Sequence, residues 1–371
     1  MMLNYSYWEL KEWFTDVDFT IVGSGIVGLN CALALKKAHP KAKIVILEKG
    51  VLPQGASTKN AGFACFGSLS ELIDDLKTHT EEEVYNLVEK RWKGLQLLRK
   101  IVGDKNINYQ QNKGYELFQD SVFYEECLSQ KEDVNKLLKP LFKEDVFKVD
   151  ANFFKFKKIH QSYITNQFEG QIDTGKMAAN LLELTQSLGI KIINNILVDS
   201  YLESNEKVVI KTNKIEFSTK KLCIATNGFA NELLNENVQP ARAQVLITKP
   251  IKNLQIKGTF HLDKGYYYFR NIDNRILFGG GRNLDFKTEE TSEFGETALV
   301  QNKLEEILKN TILPNTDFEI DHRWSGIMGV GSQKKAIVKQ LSNNVFCGVR
   351  LGGMGVAIGS LVGKELAELI I

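Results

Sequence analysis

The chain has 371 residues, 43% of them hydrophobic and 25% charged, which is enough apolar material for a large core and too long for the usual single domain. A net charge of +2, with lysines spread along the sequence, argues against nucleic acid or an anionic membrane as a partner. The first nine residues lack a basic and apolar leader pattern, and the apolar stretch 349–363 is too short and glycine-rich to span a bilayer, so a cytoplasmic protein without a membrane span is expected. Cys31, Cys65, Cys127, Cys223 and Cys347 form no CxxC pair, and the five histidines have no metal-ligand spacing; reduced, buried thiols and no metal are expected.

Residues 18–22 (DFTIV) form a β-branched apolar run that predicts a buried parallel strand. Gly23-Ser24-Gly25-Ile26-Val27-Gly28 follows, then apolar residues at helical spacing over 29–38, then a second buried strand, 43–48, ending in Glu48. Strand, glycine turn, helix and strand in this order are the opening unit of doubly wound sheets. Residues 50–68 read as a small-residue loop, and 69–102 and 121–142 as helices without evident chemistry. A second α/β segment begins at residue 170, with a helix over 176–188, a turn at Gly189 and a strand over 190–198. Hairpin-like strands lead to 221–226, and 241–281 is β-rich, with alternation at 245–248 and 266–269. A helix over 293–309 interrupts this pattern, and a strand over 344–348, a glycine turn at 351–355 and a final helix close the chain.

No linker separates these blocks, so two discontinuous, interleaved domains are expected. Residues 1–75, 160–235 and 320–371 would build an α/β nucleotide-binding domain. Residues 76–159 and 236–319 would build an α+β substrate domain containing an antiparallel sheet.

Each glycine of the first turn has a mechanical reason. Gly23 permits the tight turn, Gly25 lets a pyrophosphate approach the backbone, and Gly28 lets helix and strand pack closely. The helix start at Ile26 and Val27 offers free N–H groups and a positive dipole end. Glu48, followed by Lys49, is placed to accept ribose hydroxyls and to disfavour a 2′-phosphate. This fingerprint leaves NAD and FAD both open.

Four further segments carry a resemblance. Residues 55–63 (GASTKNAGF) are similar to the loop that runs beside pyrophosphate and flavin in the D-amino-acid-oxidase-like group of FAD oxidoreductases, which includes glycine, sarcosine and glutamylated-amine oxidases. The resemblance implies cofactor contacts at Ser57, Thr58, Asn60, Ala61 and Gly62. Residues 189–198 resemble the strand that meets adenine at the position of Val198, and 224–228 (IATNG) the family's A-T-x-G turn, implying contacts at Thr226, Asn227 and Gly228. Residues 350–357 (RLGGMGVA) resemble the helix start that faces the flavin pyrimidine, implying roles for Arg350, Gly352, Gly353, Met354, Gly355 and Val356. A helix dipole there would stabilise the charge of reduced flavin.

The resemblance covers essentially the whole chain and is faint over 70–165. It implies an FAD-binding Rossmann-like domain (doubly wound, of the GR2 type). It also implies non-covalent FAD, because Cys347 lies too near the last helix to match the late cysteine that carries flavin in some members.

In this family the substrate lies over one flavin face and no strong base is required. Residues 240–244 (PARAQ) resemble the P-x-R-G-Q strand entry bordering the active site. Tyr266, Tyr268 and Arg270 alternate along a predicted strand and so share one face, suited to an amine or a carboxylate, or alternatively to an aromatic core face with a snorkelling arginine. Residues 322–329 (HRWSGIMG) resemble the W-x-G strand, placing Trp324 and Met328 in the pocket. Glycine-oxidase-type members carry a carboxylate-clamping arginine where this chain has Met328.

The departure implies an amine, or a substrate whose carboxylate is held elsewhere, for example by Arg270 or Arg242. The expected reaction moves hydride from a C–N carbon to flavin, giving an imine that water hydrolyses, with oxygen or an electron-transfer acceptor reoxidising the flavin. The alternatives are a 2-hydroxy-acid or polyol dehydrogenase and a non-catalytic flavin-binding protein. The dehydrogenase would call for a histidine base, and His322 is the one histidine in these motifs.

Overall fold

The computed structural model describes residues 4–371. The run Val17–Val22 is the centre of a mixed sheet because both its faces are covered and nearly every residue is buried. It pairs in parallel with Ile44–Leu47 on one side and with Glu216–Ile224 on the other, with Ile21 in register with Ile46 and Cys223. Lys191–Ile193 and Val345–Val349 extend the parallel set outward.

Helices Ile26–Ala38 and Gly355–Glu368 pack on one face, backed by Glu81–Val102 and Thr174–Ser187. The other face is covered differently from the helices of a doubly wound sheet. Val198–Glu203 and Val208–Thr212 form an antiparallel ribbon running from Glu216–Ile224, and Val198, Val208 and Ile210 pack beneath Val22, Val45 and Leu47.

The second sheet runs in the order Ile320–Val330, Gln239–Thr248, Arg275–Gly280, Tyr267–Ile272, Thr259–Leu262, Gly114–Leu117, Ser162–Asn166 and Phe147–Ala151. All its neighbours are antiparallel except Thr259–Leu262 with Gly114–Leu117. Its core is aromatic, with Phe260 and Phe269 stacked at 4.5 Å. Two strands fall on the other side of the expected domain boundaries: Ser162–Asn166 and Ile320–Val330 pair in this sheet and not in the first. Long-range pairing decided their place, and such pairing leaves no local mark in sequence.

Locally, Ser121–Phe142 is helical as expected. The strand expected over 190–198 is two pieces, because the chain bends at Asn195, whose φ is +59°. The helix expected from 293 begins at Ala298. No helix among the described residues is long and apolar enough to cross a membrane.

Candidate functional site

A cavity of about 420 Å³ runs from the carboxyl ends of the central parallel strands to the second sheet. This is where ligands bind in open α/β sheets. At its first-sheet end Gly23 turns the chain with φ +103°, and a Cβ there would lie 2.9 Å from the Ala225 carbonyl oxygen. A Cβ on Gly25 would come within 2.8 Å of Ser57 Oγ, which accepts the Ile26 N–H at 3.0 Å. Gly23, Gly25, Ile26 and Val27 line the cavity. Gly28 does not; its Cα faces the Gly23 carbonyl and Ile21, so its smallness serves the packing of helix on strand.

Among the described residues three α-helices lack a side-chain cap, Ala298–Ile307 and two that begin at the cavity. Ser68, Thr80, Asp120 and Asp173 cap the helices that follow them through their side chains. The helices Ile26–Ala38 and Gly355–Glu368 have no side-chain cap, and both begin on the cavity wall. Their N-terminal N–H groups and dipoles are therefore directed at whatever fills it. Gly352 and Gly353, with φ +57° and +81°, make the turn into the second of these helices, and Met354, Gly355 and Val356 continue the wall.

Glu48 lines the cavity, and its carboxylate already accepts from Ser24 N and Oγ at 3.1 and 2.7 Å and from Gly50 N at 3.0 Å. Lys49 lies over the Phe229 ring and near Glu232. Val198 and Ile196 form the wall beyond Glu48. Thr226 and Asn227 contribute from the end of Glu216–Ile224. Thr226 Oγ1 is buried with no hydrogen-bond partner, while Asn227 Oδ1 accepts the Leu351 N–H at 3.1 Å. Such an orphaned hydroxyl on a cavity wall calls for a ligand acceptor or donor.

The loop 55–63 crosses the middle of the cavity. Ser57, Asn60, Ala61 and Gly62 line it. Asn60 Oδ1 holds the turn by accepting from Gly62 N at 2.8 Å and from Thr174 Oγ1 at 3.0 Å.

Several expected contacts prove to be supports behind the wall. Thr58 Oγ1 donates to the Pro53 carbonyl at 2.6 Å, inside the loop. Gly228 lies against the Met328 carbonyl, 2.6 Å from where its Cβ would be. Arg350, at φ +63°, donates to the carbonyls of Lys335 and Asn237 at 3.0 and 3.1 Å. Trp324 Nε1 donates to the Lys59 carbonyl at 2.9 Å, so its ring anchors the loop and is not part of the lining.

At the second-sheet end the wall is made by Tyr266, Tyr268, Met328, His261, Lys264 and Arg282. Tyr268 packs edge-on against Phe63 at 5.6 Å, and burial pushes its hydroxyl up to about 12. Tyr266 precedes the strand, in the turn after Leu262, so it reaches the cavity from the turn and not by strand alternation.

Arg270 shares the parity of Tyr268 but sits behind the loop, with Nη2 3.0 Å from where a Gly62 Cβ would be. It is 2% exposed, its Nε has no partner, and burial lowers its pKa to about 10. Arg242 is likewise unavailable to a substrate. Its Nε and Nη2 donate to Glu289 at 2.8 and 3.1 Å, away from the cavity.

Sequence reasoning passed over His261. The turn Asp263–Gly265 folds Thr259–Leu262 back on Tyr267–Ile272 and sets His261 directly opposite Tyr268. The Asp-Lys-Gly turn was the available signal, since a hairpin there places His261 beside the predicted pocket strand. His261 Nε2 lies 3.1 Å from Glu169 Oε2, and Cys65 Sγ completes a buried group whose polar atoms lie within 4.8 Å of one another. These three residues come from three distant segments, so no spacing could have shown them. Burial works against the imidazolium, but the Glu169 carboxylate, aided by Glu71 and Glu116, raises the histidine to about 9. The expected candidate, His322, is exposed and stacks on Trp324.

A family model described as FAD dependent oxidoreductase (DAO) matches residues 18–369. The probable oxidoreductase OrdL of Haemophilus influenzae is 21% identical over 100% of this chain and 90% of its own length. The gamma-glutamylputrescine oxidoreductase of Escherichia coli is 24% identical over 95% of this chain and 83% of its own. Among solved structures, an L-proline dehydrogenase from P. horikoshii superposes with a TM-score of 0.76 at 18% identity, covering 96% of this chain and 93% of its own. With nearly the full length matched, and two uncapped helix starts framing the cavity, the chain belongs to the DAO family of FAD-dependent oxidoreductases.

Proposed function

We propose that the protein holds FAD without a covalent link and oxidises a small amine at its C–N carbon, giving an imine that water hydrolyses to a carbonyl. The residues present fit the cofactor. The uncapped start of Ile26–Ala38 and Ser57 would hold the pyrophosphate, and the start of Gly355–Glu368 would face the flavin pyrimidine. Ribose hydroxyls would reach Glu48 by displacing Ser24 Oγ, because a carboxylate offers about four acceptor sites and Ser24 takes two of the contacts. All five cysteines are buried and Cys347 lies within the parallel sheet, which supports non-covalent binding. Bound FAD supplies the hydride acceptor.

The observation that carries the amine reading is the chemistry of the second-sheet end. Met328 puts a thioether on the wall at the position where the family resemblance expects a carboxylate clamp, and Tyr266, Tyr268 and Phe63 offer aromatic surface. Glu71 lines the same end, and Glu169 lies behind the wall, paired with His261. Aromatic faces with nearby carboxylates suit an ammonium. The relative named gamma-glutamylputrescine oxidoreductase supports the same class. A distal carboxylate on the substrate would be met by Arg282, which lines this end and has no ion pair among the described residues. Tyr266 and Tyr268 would orient the substrate and exclude water.

A second reading has one observation in its favour. His261 beside Glu169 has the arrangement of a base for an alcohol, so a 2-hydroxy acid is the competing substrate class. Anaerobic addition of amines, amino acids and hydroxy acids to the yellow holoenzyme separates the two. Bleaching by amines is expected; bleaching by hydroxy acids alone would replace the first reading with the second. Acid precipitation should release the flavin into the supernatant, and a yellow pellet would overturn non-covalent binding.

A further inference from the structure

The buried pair His261–Glu169 is costly unless it is used. Charges taken out of water need close partners, and here the histidine is 6% exposed and the glutamate 1%. Glu169 Oε2 accepts at 3.1 Å from Nε2, and Asn166 Nδ2 and Thr259 Oγ1 approach the same carboxylate at 3.4 Å. Glu169 is thereby fixed from three sides, and the imidazole with it. Nδ1 makes no hydrogen bond among the described residues, and the ring forms part of the cavity wall. Phe63 meets the ring edge-on at 5.3 Å and fixes its plane. Other polar groups face this wall from each packed element: Cys65 from the loop, Glu71 from the following helix, Glu116 from the neighbouring strand, Lys264 from the turn and Tyr268 across the hairpin.

We infer that His261, positioned by Glu169, takes the proton from the substrate ammonium before oxidation. The inference rests on the amine reading above. An ammonium has no lone pair, and loss of hydride from the adjacent carbon needs one on nitrogen. One N–H bond of the ammonium breaks, its electron pair stays on nitrogen, and the proton bonds to Nδ1 of the neutral imidazole. Glu169 accepts from Nε2–H and so stabilises the imidazolium. The proton passes to water after the product leaves. A histidine held near 9 is well matched to an aliphatic amine near 10, so the transfer is close to balanced.

The experiment is the pH dependence of anaerobic flavin reduction by an amine that bleaches the wild-type holoenzyme, compared in wild type, Glu169→Gln and His261→Gln. A rising limb of kcat/KM near pH 9 is expected in wild type. Loss of the carboxylate should move that limb down by a unit or more, towards the ordinary histidine value. His261→Gln should leave only the limb of the free amine and lower kcat/KM at pH 7.5 by roughly 10²-fold, with the FAD spectrum unchanged. The same limb in all three proteins would overturn the assignment while leaving amine oxidation standing; absence of bleaching by any amine would remove the reading it rests on.

Should the variants fail to fold, histidine-labelled wild-type holoenzyme carries the test, because only five histidine signals need resolving. One should titrate near 9 and shift when a non-oxidised amine analogue, such as tert-butylamine, is added. Five ordinary titrations near 6.5, or no shift, would overturn the assignment.

Discussion

Arg242 and Glu289 show how a single side chain can look like a substrate group in sequence and be structural in the fold. Both are buried, and Gln244 and Thr297 complete the hydrogen bonding of the carboxylate at 2.8 and 3.3 Å. Arg242→Ala would strand that carboxylate, and a loss of about 3–5 kcal/mol in urea unfolding is expected. Arg242→Leu with Glu289→Leu should recover much of it.

His261 makes a pH-dependent contribution of opposite sense to a carboxylate's. Its folded value of about 9 lies above its ordinary 6.5, so the pair's stabilisation is complete below about pH 6.5 and is lost as pH rises through 9. The urea midpoint should therefore fall between pH 6.5 and 9.5, and the fall should be shallower in His261→Gln. Trp324→Phe removes one hydrogen bond to the Lys59 carbonyl, worth about 1 kcal/mol. Because that bond anchors the loop 55–63, which lines the cavity, faster FAD release measured by stopped-flow is the expected sign.

At the scale of elements, the helix contacts position the cofactor end. Gly94 in Glu81–Val102 faces the backbone of Ala357 and Ile358, and a Cβ there would lie 3.0 Å from Ile358 Cα. Gly94→Val would push the helix Gly355–Glu368 away from its neighbour at about 1–3 kcal/mol. The displacement moves the helix start that lines the cavity, so weaker FAD binding should accompany the lower unfolding midpoint; a lower midpoint with unchanged FAD affinity would detach this helix from the site. The hairpin Thr259–Leu262 with Tyr267–Ile272 is the matching device at the other end, since its register sets which side chains meet the cavity.

At the scale of the molecule, the cavity is built jointly by both sheets, with the loop 55–63 between them. Saturating FAD at about a hundredfold over Kd should therefore stabilise the whole fold by about 2.7 kcal/mol and protect both sheets from proteolysis together. Protection confined to the first sheet would contradict a shared site.

Much of this site was legible beforehand. The glycine turn, the loop 55–63 and the helix start at 355 are local signals that line the cavity where close backbone approach calls for small residues, and Glu48 lines it from the end of the second strand. Four motif residues stand outside the cavity lining. Thr58, Gly228, Trp324 and Arg350 sit in matching motifs, yet whether a motif residue faces the ligand or the wall behind it depends on what packs against it.

Sequence by itself determined the opening strand, glycine turn and helix, because periodicity and turn chemistry are written along the chain, and its motif order carried the family resemblance that implied FAD and set Met328 where a clamp is expected. Tertiary structure alone decided which charges are free. Arg242 is spent on Glu289, Arg270 is shut behind Gly62, and His261 meets Glu169 across 92 positions. Pairing between distant strands creates those contacts, and a contact between distant segments has no period, spacing or composition by which to be read.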